Sequence, residues 1–242
     1  MPHYHRFFVP IETADSGAVD LPPDEAHHAS RVLRLRGGDA VGLFDGHGRT
    51  WEGSIHEIDR HRAVVNCRPA VHHPAPAKRL TLVQAWLNHD KANATIVQRA
   101  AELGVSRVRF FKGAHSERLP RVDDKLTRLA AESCKQCGRA WMPELEAAWD
   151  ARAALEGLGG AKLLATLGNA PASLGHALSS HDEAVWIVGP EGDFSSDEVE
   201  FALAAGAIPI SLGQATYRSE LAATLGIALI QYEWGEMGNP SK

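Results

Sequence analysis

The chain has little of what marks several common protein classes. Only three of its 242 residues are cysteine, too few for a disulfide framework in a chain this long, which points to a reducing compartment. No apolar run approaches the ~20 residues that a membrane-crossing helix needs. The opening stretch, "MPHYHRFFVP", lacks the basic head and long apolar core of a secretory signal. These absences give the expectation of a cytoplasmic protein without membrane attachment. A positive charge excess is also missing: the formal net charge is −5, so bulk composition does not announce a nucleic-acid partner. There is no G-x-G-x-x-G, no Walker lysine motif and no nucleophile elbow, which removes the signatures of dinucleotide sites, nucleotide hydrolases and serine hydrolases.

What is present is ordinary for a globular chain, 44% hydrophobic and 23% charged, with room for one large domain or two modest ones. The charge is unevenly spread. Residues 1–74 carry −2, residues 75–150 carry +4 and residues 151–242 carry −7. A basic middle between acidic flanks points to a polyanion on one face and a different ligand elsewhere.

Residues 1–74 read as mostly β. Short apolar runs ("FFVP", "AVGLFDGHGRTWEGSIHEI", "RAVVNCR") are broken by turn chemistry, with Asp45-Gly46 and His47-Gly48 as a hairpin signal. One helix is expected in "PPDEAHHASRVLRL", with prolines at its start and Gly37-Gly38 at its end. The result is a small barrel-like domain. The proline-rich "HHPAPAK", residues 72–78, marks the boundary, and 75–242 form the second domain. There, apolar strands alternate with helices, the pattern of a mostly parallel sheet covered on both faces.

A helical wheel over 118–139 brings Arg118, Arg121, Lys125, Arg128, Lys135 and Arg139 close to one face, interrupted only by Glu132. Val122, Leu126, Leu129 and Cys137 lie towards the other, buried side. Such a stripe serves either as a solvated face or as contacts to a phosphate backbone. Cys134-x-x-Cys137 has neither a second Cys pair nor an H-x-x-x-H to complete a zinc site, so these thiols read as packing residues. His27-His28 point to different sides of a helix and suit no single metal. No metal is expected.

Three glycine turns end predicted strands: Leu167-Gly168-Asn169, Gly189-Pro190-Glu191-Gly192 and Leu212-Gly213, with Arg218 and Glu220 just beyond the third. In an open α/β sheet, ligands bind beyond the carboxyl ends of strands, so the three turns are candidates for one pocket. The middle turn, "GPEGDFSSDEVE", is crowded with acids. Ser195 and Glu198 form a capping box that already satisfies the helix start. Like charges ~4 Å apart repel by ~4 kcal/mol at an effective dielectric near 20, so a pyrophosphate is disfavoured. A cationic nucleoside is not, and S-adenosylmethionine fits that description.

At this point a resemblance becomes specific. "RFFVP", "HHASRVLRLRGGDAVGLFDG", "IVQRAAELGV", "SERL", "ESCKQCGRAWMPEL", "GPEGDFSSDEVE" and "SLG…YRSE" occur in order along the chain. Together they resemble the bacterial SPOUT-class methyltransferases that modify N3 of a uridine in small-subunit (16S) ribosomal RNA. The resemblance implies an N-terminal PUA-like β-barrel over 1–74 that helps to hold RNA. It implies a C-terminal α/β domain with a trefoil knot over 75–242, and a homodimer. It also implies S-adenosylmethionine held by Leu167, Gly168, Asn169, Val188, Gly189, Glu191, Gly192, Ser211, Leu212, Gly213, Tyr217 and Arg218. Ribosomal RNA is then the expected partner of Arg31 and Arg34 and of the basic stripe. Arg218 is expected to stabilise a developing uracil anion, with Glu220 orienting Arg218 or accepting the proton.

Four places depart from the family pattern. Asp193 stands where a second glycine is common, and Gln214-Ala215 where Pro-Arg is usual. Tyr217-Arg218-Ser219-Glu220-Leu221-Ala222 replaces Leu-Arg-Thr-Glu-Thr-Ala, and Asn88-His89-Asp90 replaces Lys-Gly-Asp. These departures leave a second reading open, a non-catalytic RNA-binding or ribosome-assembly protein that retains the fold.

Overall fold

A computed structural model describes residues 4–167, 170 and 172–238. The chain divides into two compact units, Met1–Ala75 with Ala131–Met142, and Pro76–Ala130 with Pro143–Lys242. Residues 131–142, which the sequence places in the second domain, belong with the first unit for identifiable reasons. Arg6 donates to the carbonyls of Cys134 and Arg139, at 3.1 Å each. The Lys135 ammonium reaches both Glu25 oxygens at 2.9 and 3.0 Å, and the Trp141 indole N–H donates to the Pro74 carbonyl.

The first unit holds strands β1 (His5–Phe8), β2 (Gly17–Asp20), β3 (Ala40–Phe44), β4 (Arg49–Ile58), β5 (Ala63–Cys67) and β6 (Val71–His72). They pair in the order β1-β3-β4-β5-β2, with β6 on β4. The β3–β4 hairpin is the one the Asp-Gly signal predicts. Asp45, nearly inaccessible, accepts from the backbone N–H of His47 and Arg49, while Gly46 and Gly48 take positive φ. Phe7, Leu43, Trp51, Ile55 and Val65 fill the core behind it. The predicted helix is shorter and less regular than its sequence signals. Helix α1 (Pro23–His27) passes into a π-helical turn over His28–Val32, and Arg34 takes φ +54, so the chain leaves the helix before Gly37-Gly38.

The second unit alternates strands and helices: β7 (Arg79–Ala85), α2 (Asp90–Glu102), β8 (Arg107–Phe111), α3 (Asp124–Cys137), β9 (Glu144–Ala148), α4 (Ala151–Leu155), β10 (Ala161–Thr166), α5 (Leu174–Leu178), β11 (Glu183–Val188), α6 (Ser196–Ala204), β12 (Ile208–Ser211) and α7 (Ser219–Glu233). Helix α3 contributes residues to both units. The sheet runs β12-β10-β11-β7-β8-β9 and every pairing is parallel. Its strands are apolar because both faces are covered: Leu80, Leu82, Val83, Leu163, Leu164, Val185, Trp186 and Ile187 are all buried. Strand β9 escapes the apolar pattern because it lies at the edge. Its Glu144 and Glu146 instead pair with Arg107 and Arg109 of β8, a cross-strand charge ladder.

The long basic helix is corrected at its start. Helix α3 begins at Asp124, so Arg118, Arg121 and Val122 precede it. Asp123 caps the helix by accepting from the Leu126 N–H, and Pro120 biases the residue before it towards extended backbone. Of the side predicted to be buried, Leu126 is buried and Leu129 half-buried, but Cys137 is exposed; of the two thiols read as packing residues, only Cys134 is buried.

A candidate methyl-donor site at the carboxyl ends of the strands

Because all strands of the second sheet are parallel, the loops after β10, β11 and β12 emerge on one edge. There they enclose a cavity of about 530 Å³, a volume suited to a ligand of nucleoside size. Its walls are Ala165, Thr166 and Leu167 from the first loop and Val188, Gly189, Pro190, Glu191 and Asp193 from the second. Leu212, Gly213, Ala215, Thr216 and Tyr217 come from the third, Arg218, Ser219, Glu220 and Ala222 from the start of α7, and His89 and Ala92 from the start of α2.

Each loop is held by a local device. The α6 start carries the predicted capping box: Ser195 Oγ accepts from Glu198 N–H and the Glu198 carboxylate accepts from Ser195 N–H. That box takes up two N–H groups at the helix start and sets the Glu198 carboxylate there, so this helix start is a poor anion cradle. Asp193 takes φ +63, an uncommon backbone for a side chain but one that Asp tolerates. Its carboxylate accepts from Phe194 N–H and its carbonyl accepts from His115 Nδ1 at 2.9 Å. Gly213 takes φ +112, which favours glycine.

Below the cavity lies a buried polar joint. Gln84, at the end of β7 and fully inaccessible, donates to Ser219 Oγ at 2.9 Å, and Ser219 donates to the Gly189 carbonyl at 2.5 Å. Ser219 is the first residue of α7 and Gly189 follows β11, so two walls of the cavity are tied through one side chain. The Gln84 amide oxygen has no partner among the described residues.

A family model described as an RNA methyltransferase domain matches residues 73–231, and one described as an RNA methyltransferase PUA domain matches residues 21–66. The chain belongs to the RNA methyltransferase family. By sequence it is similar to the ribosomal RNA small subunit methyltransferase E of Rickettsia conorii, 28% identical over 94% of this chain and 95% of that one. Among solved structures, the ribosomal RNA small subunit methyltransferase E of Neisseria gonorrhoeae, bound to S-adenosyl methionine, is 26% identical. It covers 95% of this chain and 98% of its own, with a TM-score of 0.83. A probable rRNA-methyltransferase from Porphyromonas gingivalis is 31% identical, covers 96% and 98%, and has a TM-score of 0.81.

Seen as an RNA methyltransferase, the chain brings most of its expected cofactor residues together. Leu167, Val188, Gly189, Glu191, Leu212, Gly213, Tyr217 and Arg218 line the cavity, and Glu220 joins them. Ser211 and Gly192 stand beside it: Ser211 Oγ bonds within the third loop to Gly213, and Gly192 packs under His115. Gly168 and Asn169 lie outside the described residues. The expected orientation of Arg218 by Glu220 is not seen. Both line the cavity, but among the described residues no ion pair joins them. The donor set fits S-adenosylmethionine: carboxylates of Glu191, Asp193 and Glu220, one guanidinium, the hydroxyl-bearing Thr166, Thr216, Tyr217 and Ser219, the imidazole of His89, and otherwise apolar side chains and backbone. A ligand with a sulfonium, an ammonium and a single carboxylate matches that balance.

The RNA methyltransferase does not display its basic residues as one helical stripe. Arg31 and Arg34 are exposed in the first unit, and Arg118, Arg121, Lys125 and Arg128 are exposed in the second. Arg118 is paired with Asp90 at 2.9 Å. Lys135 is not available to a phosphate: its side chain is 9% exposed and its ammonium is taken up by Glu25 and Glu132. Hydrogen bonding to Cys137, together with burial, pushes the Cys134 thiol up from its ordinary value, as a packing role implies. Among the described residues no cluster of three His, Cys, Asp or Glu side chains is arranged to hold a metal, and no helix is long and apolar enough to cross a membrane.

Sequence reasoning missed three residues here. Gln84 sits in a mostly apolar strand, where a lone amide is the signal of a buried joint. Asn93 is buried on α2, accepting from Leu87 N–H and donating to Leu87 C=O, which fixes the loop between β7 and α2. His89 appeared only as a departure from the family pattern, yet it lines the cavity.

Proposed function

We propose that this chain transfers a methyl group from S-adenosylmethionine to N3 of a uridine in small-subunit (16S) ribosomal RNA. The observation that carries the reading is the cavity, where three carboxylates outnumber one guanidinium among neutral polar and apolar residues, in a chain of the RNA methyltransferase family. When bound, S-adenosylmethionine supplies an electrophilic methyl group on a sulfonium.

The chain's own residues then have defined tasks. Glycines 189 and 213 let backbone approach the ligand closely, and Leu167, Val188 and Leu212 cover its apolar faces. Arg218 stabilises the negative charge that develops on the uracil carbonyls as N3 loses its proton, as fixed cations do for forming oxyanions. Fixing both reactants in line supplies a large part of the acceleration, because an intramolecular geometry replaces a bimolecular encounter. The target base is turned out of its stack to enter the cavity. The first unit, with Arg31 and Arg34, and the exposed arginines and lysine of 118–128 hold the RNA backbone.

The same reading includes a knotted second domain over 75–242, a cytoplasmic location and a homodimer. Support for the dimer comes from α7, where Leu221, Leu229 and Tyr232 are exposed on one side of the helix, an apolar face that a second copy would cover.

A thermal-shift assay with S-adenosylhomocysteine beside NAD tests the cofactor, since ligand at ~100 times its dissociation constant stabilises by ~2.7 kcal/mol. Methylation of small-subunit RNA followed by nucleoside analysis tests the product. A shift with NAD alone would overturn the reading. Cofactor binding without transfer to any RNA would favour the RNA-binding alternative.

A further inference from the structure

We propose that His89 is the proton acceptor for N3 of the target uridine; the inference rests on the function proposed above. The loop that carries His89 is pinned from several sides. Asn93 grips Leu87 through both of its amide atoms. The Glu191 carboxylate accepts from Asn88 N–H at 2.9 Å. Asn88 Oδ1 accepts from Glu117 N–H at 3.2 Å, and Arg118 donates to both the Asn88 carbonyl and Asp90. The backbone around His89 is therefore fixed by α2 and by the loops after β8 and β11. Its imidazole makes no hydrogen bond or ion pair among the described residues, and it lines the cavity. A held backbone with an uncommitted ring in a ligand cavity leaves a ring nitrogen available to a bound ligand's proton.

The chemistry asks for one. Uracil N3 carries a proton and its electron pair is delocalised, so N3 becomes a competent nucleophile as that proton leaves. Imidazole is the side chain that takes up and releases protons near neutral pH. The charged and titratable groups around it are Asp90 and Lys91 on its own helix and Glu117 and Arg118 after β8. Glu191 and Asp193 follow β11, and Tyr217, Arg218 and Glu220 stand at the β12–α7 junction. Glu220 is the competing acceptor.

The balance is as follows. The N3–H bond breaks and its proton passes to a ring nitrogen of neutral His89. The N3 electron pair forms the new N–CH3 bond while the S–CH3 bond of the sulfonium donor breaks, its pair returning to sulfur. The products are N3-methyluridine, neutral S-adenosylhomocysteine and an imidazolium. His89 is exposed, so the imidazolium returns its proton to water.

Single-turnover methylation of small-subunit RNA across pH 6 to 9 tests this (about that range, around neutrality), with wild type, His89→Gln, His89→Asn and Glu220→Gln. The histidine variants are expected to lose about 100-fold in rate near neutral pH and to recover as pH rises and hydroxide takes over. Their affinities for S-adenosylhomocysteine and RNA are expected to stay within about twofold of wild type, a change of under half a kcal/mol. In protein labelled with 13C-histidine, the resonance missing from His89→Gln is expected to shift when S-adenosylhomocysteine and RNA are added to wild type. Rates unchanged in both histidine variants, a uniform loss at every pH, a loss explained by weaker binding, or a changed pH slope in Glu220→Gln alone would each overturn the assignment. A wild type that methylates no RNA overturns the function itself, and is told apart by its failure without any substitution.

Discussion

In the first unit most strand pairings are antiparallel, and a tight turn closes the β3–β4 pair; in the second every pairing is parallel. The difference decides where each can hold a ligand. The β3–β4 turn consumes its own polar groups, as Asp45 does by accepting from His47 and Arg49. Parallel strands end on a common edge, and each is followed by a loop that has to find partners elsewhere. The cavity collects at that edge, between the loops after β10, β11 and β12. Charge is handled differently too. In the first unit the largely buried Lys135 and Glu25 satisfy each other, whereas beside the cavity Arg218 is exposed and, among the described residues, makes no ion pair with Glu220.

The comparison breaks most visibly through the cores. Trp51→Ala removes a fully buried side chain from the first unit and is expected to cost ~3–5 kcal/mol in denaturant unfolding. Affinity for S-adenosylhomocysteine should remain within about twofold of wild type, or less than half a kcal/mol. A large loss of affinity would show that the cavity depends on the first unit's core.

Next in size, Lys135→Ala leaves Glu25 without its main partner and is expected to cost about 3 kcal/mol, the lower end for a buried pair, because Glu25 keeps some exposure. The double variant Glu25→Leu/Lys135→Met is expected to recover most of it. If instead Lys135→Ala leaves stability unchanged and weakens RNA binding, the side chain serves RNA after all.

Gly226→Ala acts on the second unit. A Cβ there overlaps the Trp186 indole, which is fully buried on β11. Overpacking is expected to cost ~1–3 kcal/mol, measured in denaturant. Cofactor affinity is expected to fall as well, because α7 carries Arg218, Ser219 and Glu220 into the cavity. A destabilised variant with unchanged affinity would show that the start of α7 is fixed by the Gln84–Ser219–Gly189 joint alone.

The smallest effect is expected at Asp193→Gly, within about 1 kcal/mol. Glycine relieves the positive φ, but the variant loses the carboxylate that accepts from Phe194 N–H. The informative measurement is affinity for S-adenosylhomocysteine, which is expected to weaken if the Asp193 carboxylate faces the ligand's cationic groups.

Much of this was legible in the chain itself. Strand–helix alternation after residue 78, the Asp-Gly hairpin, the capping box at Ser195 and the acidic glycine turn follow from local rules of backbone freedom and side-chain hydrogen bonding. These rules need only a few neighbouring residues. They also sufficed to disfavour a pyrophosphate and favour a cationic nucleoside. Strand β9 was hidden because an edge strand buries little, and the start of α3 because a wheel drawn through Pro120 assumes helix where Asp123 begins one. Parallel pairing of β7 with β11 brought Gln84 under Ser219 and Gly189, and put His89 into the same cavity lining as Arg218 and Glu220. Folding likewise turned Lys135 from a candidate phosphate contact into the partner of Glu25, 110 residues away. The sequence determined the chemistry each loop carries. Only the tertiary structure decided which loops share a cavity, because the strand order that gathers them depends on contacts between residues far apart in the chain.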